Sequence, residues 1–136
     1  MKDLDTIIGK ILKYCRQEET IIAAYLFGSL STEKNRVDSD IDVAVLVEPG
    51  AEEKFPFLAF AVSLERELNH RIDLILLNRA GELLKYEVRR HGRLIFERDA
   101  GKRKRFEIKS RKFFEDFLFL HKRYVNQVLY ESREER

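Results

Sequence analysis

At 136 residues, 44% of them hydrophobic and 37% charged, the chain can build one sheet-and-helix core but not two, and its composition is not that of a disordered chain. The net charge of +2 hides an asymmetry, because residues 101–136 carry eleven Lys or Arg against six Asp or Glu while the first hundred carry fifteen against eighteen. The lone Cys15 excludes an internal disulfide, no stretch approaches the roughly eighteen apolar residues of a membrane span, and Met1-Lys2-Asp3-Leu4-Asp5 has acids where a signal peptide would be basic and then hydrophobic, so a cytoplasmic protein without membrane contact is expected.

Leu4, Ile7, Ile8, Ile11, Leu12 and Cys15 recur at helical spacing, which predicts an amphipathic helix over 4–18 with Cys15 buried on its apolar face. Ile21-Ile22-Ala23-Ala24-Tyr25-Leu26-Phe27 is a short apolar run that reads as a buried strand and ends in a turn at Gly28-Ser29. Residues 34–39 are a polar loop, with Asp38 a turn residue. Ile41-Asp42-Val43-Ala44-Val45-Leu46-Val47 then gives a second strand, stopped by Pro49-Gly50. Phe57, Leu58, Phe60, Ala61, Leu64 and Leu68 predict a helix from about Phe55 to Asn69, and residues 71–77 a third strand. A shorter helix holding Leu83, Leu84, Tyr86 and Val88 ends near Gly92, before an edge strand at Leu94-Ile95-Phe96.

The last predicted element is a long helix, about Lys104 to Tyr130, with Phe106, Phe113, Phe117, Leu120, Tyr124 and Val128 on one stripe and Phe114, Leu118, His121, Val125 and Leu129 widening it. So broad an apolar face calls for a second protein or a second copy of the chain besides its own domain. Lys102-Arg103-Lys104-Arg105 reads foremost as a solvated helix start, and a nucleic-acid contact there is not favoured. Strands alternating with helices over short links make an α/β domain around a mixed sheet flanked by helices: residues 1–100 form its core and 101–136 a C-terminal helix of the same domain that serves as a partner-binding element.

Three carboxylates carry the chemistry. Asp40 and Asp42 bracket Ile41 at a strand start, so period-two alternation points both from one face. Two like charges so close call for a cation between them, and a hard divalent ion such as Mg²⁺ takes oxygen ligands. Asp73, inside the apolar run of the third strand, converges on them if that strand neighbours the second, with Ile72 and Leu74 turned to the core. Against this, Asp40 by itself fits a turn acid, and Asp73 an ion pair with Arg71 or Arg36. Gly28 lets a phosphate approach backbone without a Cβ in the way, and Ser29 offers a hydroxyl, although most Gly-Ser pairs are plain turns. His70, His91 and His121 stand at no metal-ligand spacing, which disfavours zinc.

Phe27-Gly28-Ser29, ten residues, Asp40-Ile41-Asp42-Val43, and later Ile72-Asp73-Leu74 together resemble the signature of the DNA polymerase beta-like nucleotidyltransferase superfamily. Over about residues 5–98 the arrangement is similar to its minimal nucleotidyltransferase branch, antitoxins encoded beside HEPN-domain ribonuclease toxins. The resemblance implies that fold with a long C-terminal helix. It implies ATP as substrate, with Mg²⁺, two ions, held by Asp40, Asp42 and Asp73, and it makes these three the catalytic residues, Asp73 helping to activate the acceptor hydroxyl. It also implies that Gly28 and Ser29 hold the triphosphate and that AMP passes to a tyrosine of a HEPN-domain toxin. The usual Arg after the Gly-Ser pair is absent, Leu30, Ser31, Thr32, Glu33 and Lys34 standing there, and Lys34 or Arg36 would supply the charge; Arg36 completes the triphosphate-binding set. Two further readings stand beside this one: an ATP- and Mg²⁺-binding antitoxin that acts by docking alone, and transfer of a nucleotide to a small molecule.

Overall fold

The computed structural model of the chain describes residues 3–28 and 40–134, with side chains up to residue 130. The elements run α1 (Leu4–Gln17), β1 (Ile21–Phe27), β2 (Ile41–Val47), α2 (Phe57–Leu68), β3 (Ile72–Leu76), a 3-10 turn (Leu77–Arg79), α3 (Glu82–His91), β4 (Arg93–Glu97) and α4 (Ala100–Glu134). The four strands form one mixed sheet in the order β3-β2-β1-β4, with β2 and β3 parallel and the other neighbours antiparallel. The edge position expected for the fourth strand is confirmed.

Alternation along β2 divides the core in two. Ile41, Val43, Val45 and Val47 join α1 and α2 through Ile7, Ile11, Cys15, Phe60 and Leu64. Ala44 and Leu46 face the other way, toward Leu77, Val88 of α3 and, in part, Phe106 of α4. Asp42 falls on this second side by the same alternation. The sheet is therefore covered on both faces, and its carboxylates occupy the end of a packed face rather than an open one.

Local signals set the ends. Glu18 N–H closes α1 on the Tyr14 carbonyl, and Arg98, just past the edge strand β4, donates to the carbonyls of Cys15, Arg16, Glu18 and Ile21 at 2.8–3.0 Å, satisfying groups that a helix end leaves open. Asn69 ends α2 in the left-handed conformation at φ 49°, which asparagine tolerates. Asn78 ends β2, its amide exchanging two 2.9 Å hydrogen bonds with the Val47 backbone as a neighbouring strand would.

Three expectations shift. The second helix begins at Phe57 rather than about Phe55; Phe55 is buried ahead of it, its ring tilted against that of Phe60, while Phe57 and Leu58, expected on the apolar face, are exposed. The third strand stops at Leu76 because Leu77 turns into the 3-10 segment. The basic run is not simply solvated: Lys102 pairs with Glu48, and Arg103 with Glu97 and Glu107, fixing the first turns of α4 to the sheet. Among the described residues no helix is long and apolar enough to cross a membrane.

Candidate active site

The site begins with register. In the antiparallel pairing of β1 and β2, Phe27 lies opposite Asp42, and in the parallel pairing of β2 and β3, Asp42 lies opposite Asp73. The turn after β1 and the acids of two other strands thus come to one end of the sheet. Ile72 and Leu74, on either side of Asp73, are buried against α1 and α2 as expected, which leaves Asp73 on the face of Asp42.

Asp42 and Asp73 are close enough to share a hydrogen bond, and the neighbourhood is felt in the proton affinity of Asp42. Burial first, then the charge of Asp73 and the hydrogen bond with it, and last the charge of Asp40, push the Asp42 carboxyl up from 3.8 to about 6. Neither Arg71 nor any other cation is paired with Asp73 among the described residues. The alternative role as a partner of Arg36 lies, with Arg36 itself, outside the described residues.

Gly28 completes the geometry. Its φ of +77° suits glycine, and a Cβ on it would fall onto Oδ2 of Asp42 and stand 3.2 Å from Cγ. The space beside the carboxylate exists because residue 28 has no side chain. Ser29, Lys34 and Arg36, the other expected phosphate ligands, lie outside the described residues.

Whether these groups fit a divalent ion depends on what they lack. Among the described residues no three His, Cys, Asp or Glu side chains close around a common point; Asp42 and Asp73 form a pair, and Asp40 stands exposed at the rim, near enough to act on Asp42 through its charge. A two-carboxylate edge open to solvent is what Mg²⁺ accepts, since it keeps several waters and takes one or two protein carboxylates beside substrate phosphates. Crowding of Asp42 by the charges of Asp73 and Asp40 is what a divalent cation would relieve. The donor set fits.

A separate cavity of about 520 Å³ opens at the other end of β2, lined by Leu46, Glu48, Lys85, Lys102, Phe106 and Phe113 among others. Leu46 is four residues along the strand from Asp42, roughly 13 Å at the rise of a strand. This cavity holds none of the three acids and is no part of the site. Its components are scattered over five elements, and no local sequence pattern announced it.

The family profile described as polymerase beta, nucleotidyltransferase matches residues 9–101, which span all four strands and the three aspartates. No curated protein sequence matches the chain. Among solved structures, it is similar to a crystal structure of a toxin–antitoxin with AMP-PNP, at 24% identity over 90% of this chain and 98% of that one, with a TM-score of 0.73. It is similar to the MNT antitoxin complex of a tri-AMPylated HEPN toxin from Shewanella oneidensis, at 23% identity over 93% and 99% of the two chains and a TM-score of 0.70. A third, the toxin–antitoxin MntA-HepT, aligns at 22% identity over 92% and 98%, with a TM-score of 0.68. At these identities the likeness is one of fold, from the first helix into the long last one.

Proposed function

The chain belongs to the polymerase beta nucleotidyltransferase family, and from that premise we propose that it is a Mg²⁺-dependent protein adenylyltransferase of the cytoplasm, moving AMP from ATP to a tyrosine hydroxyl of a HEPN-domain toxin and thereby acting as its antitoxin. The observation that carries the proposal is the pairing of Asp42 with Asp73 beside Gly28: two mutually repelling carboxyls next to backbone kept clear of side chain. Support for the partner comes from the fold neighbours, which are toxin–antitoxin complexes, one with an AMP-PNP and one with an AMPylated HEPN toxin.

The residues divide the work by exposure. Asp42, half-buried between Asp73 and Gly28, is the fixed ligand; Asp73, exposed and opposite it, faces the acceptor and receives the hydroxyl proton; Asp40 adds charge at the rim. Gly28 keeps its peptide approachable to the triphosphate, with Ser29 and Arg36 as the proposed further donors. Mg²⁺ bound by these carboxylates would screen phosphate charge and lower the pKa of the acceptor hydroxyl. In-line attack of that oxygen on the α-phosphorus forms the new P–O bond and breaks the bond to pyrophosphate. No side-chain nucleophile is required.

The helix supplies the docking element. α4 begins at the end of the sheet where Lys102 meets Glu48, and by Glu107 it has reached Tyr25, nearer the Gly28 end. Its free half, past Phe114, carries exposed apolar side chains, Phe117, Leu118 and Leu120 among them, on which a partner protein would dock.

The test is transfer of label from α-labelled ATP, with Mg²⁺, onto a protein co-purified with the chain, comparing the native chain with an Asp40→Asn, Asp42→Asn double variant. Label on the partner with the native chain only, recovered in a peptide that carries AMP on tyrosine, is the expected result. A stable complex and a folded chain without transfer would sink the enzymatic reading in favour of inhibition by docking; transfer only to small hydroxyl compounds would sink the protein acceptor.

A further inference from the structure

Ser110 and Phe114 are the last residues of α4 buried within the chain among those described, Phe114 by stacking on Tyr86 of α3 at 4.3 Å. From there the helix runs on with Phe113 52%, Phe117 43%, Leu120 62% and Tyr124 65% exposed. These four are spaced by four, three and four residues, the d, a, d, a positions of a heptad seam, on a stripe beside Phe114 that the chain itself does not cover. In that heptad Asp116 and Arg123 are the g positions, which flank a seam. Both are exposed, and among the described residues neither makes an ion pair within its chain.

We propose that this stripe is a self-association seam, on which the same stripe of a second copy lies antiparallel, with Asp116 of each copy paired to Arg123 of the other. The sequence of the stripe reads the same in both directions in the sense that matters. When two such helices run antiparallel, a and d layers of opposite copies meet: Phe113 with Tyr124, Phe117 with Leu120, and the mirror pairs. In that register g faces g across the seam, and the facing residues are Asp116 and Arg123, opposite in charge, twice by symmetry. A parallel pair would instead set each g against an e residue, Asp116 against His121 and Arg123 against Val128, and both ion pairs would be lost. Charge selects the antiparallel arrangement, and the aromatic layers supply its burial.

Self-pairing along this stripe leaves Leu118 and Val125, on the adjoining flank of α4, exposed for another protein. The inference rests on the helix alone and not on the transfer reaction.

The experiment uses the full chain by itself in sedimentation equilibrium, with helix content followed by circular dichroism. The native chain is expected to dimerise. Asp116→Arg and Arg123→Asp, each placing like charges opposite one another, are each expected to weaken dimerisation by about tenfold or more. The double exchange, and an equimolar mixture of the two single variants, are expected to restore it. All these positions are exposed, so the variants keep the fold, and Leu120→Asp gives an independent monomer if the seam is correct. A native chain that stays monomeric would overturn the proposal, as would a dimer indifferent to the single exchanges or single variants that do not pair when mixed.

Discussion

Gly28 and Asp42 meet where one has no side chain and the other has its carboxylate: a Cβ at residue 28 would occupy the place of Oδ2. Gly28→Ala therefore carries two costs, the left-handed backbone at φ +77° and displacement of the acid. The first is about 1–2 kcal/mol. The variant is expected to lose that much stability, and so to melt at a lower temperature, and to lose transfer by at least about tenfold. Thermal unfolding and label transfer, measured side by side, separate the two; an alanine variant with native transfer would contradict the site.

Asp42 sets a pH dependence in the metal-free protein. Its carboxyl is held at about 6 when folded against 3.8 as a free side chain, so between those values the folded chain binds the extra proton. Stability from this group is complete below 3.8, declines as pH rises, and is gone above about 6, where the ionised form is the one penalised by burial and by Asp73. Asp42→Asn, which cannot ionise, is expected to gain on the native chain between pH 4 and pH 7 and then hold its advantage. Unfolding curves across that range check it, and Mg²⁺ at pH 7 is expected to raise the melting temperature of the native chain but not of the variant.

The Asp42 and Asp73 side chains were readable from period-two alternation because both sit inside apolar runs that fix which way their neighbours face. Their pairing was not, since residue 42 opposite residue 73 depends on β3 joining β2 in parallel, a choice made by α2 packing across Phe60, Leu64 and Leu68 rather than by either strand. Gly28 as a turn glycine was legible; that its missing Cβ makes room for Asp42 follows only from the antiparallel partner strand. The basic run was misread for the same reason. Lys102 and Arg103 look solvated until Glu48 and Glu97 are brought beside them, Glu48 from 54 residues earlier.

Arg98 was invisible for that reason too, its carbonyl partners lying 77 to 83 residues away in sequence. Arg98→Ala leaves the last carbonyls of α1 to water and is expected to cost about 1–3 kcal/mol in urea unfolding, with Lys in its place recovering only part because one ammonium cannot span four acceptors. Hydrogen exchange provides a sharper reading: amides near Tyr14 to Gln17 should lose protection before those of β2. Uniform loss across the sheet would show that the residue does not act as a cap.

Cys15 makes a chemical probe of the same corner. Burial pushes its thiol up to about 12, opposed only in part by Arg98 and Arg16. At pH 8 alkylation by iodoacetamide is expected to be about a thousandfold slower than for a free thiol, and to become fast only in denaturant. Rapid labelling of the folded chain would contradict the packing of α1 on the sheet.

The contact of Tyr25 with Glu107, a 2.7 Å hydrogen bond from a buried hydroxyl, is the point at which α4 is bolted to the central strand pair, with Arg103 holding the same carboxylate from the helix side. Tyr25 is three residues from Gly28, so the root of the long helix and the glycine beside Asp42 share one strand. A load taken up by the free half of α4 enters the sheet there. Whatever grips the helix is in mechanical series with the strand that ends at Gly28, the residue set against the Asp42 carboxylate.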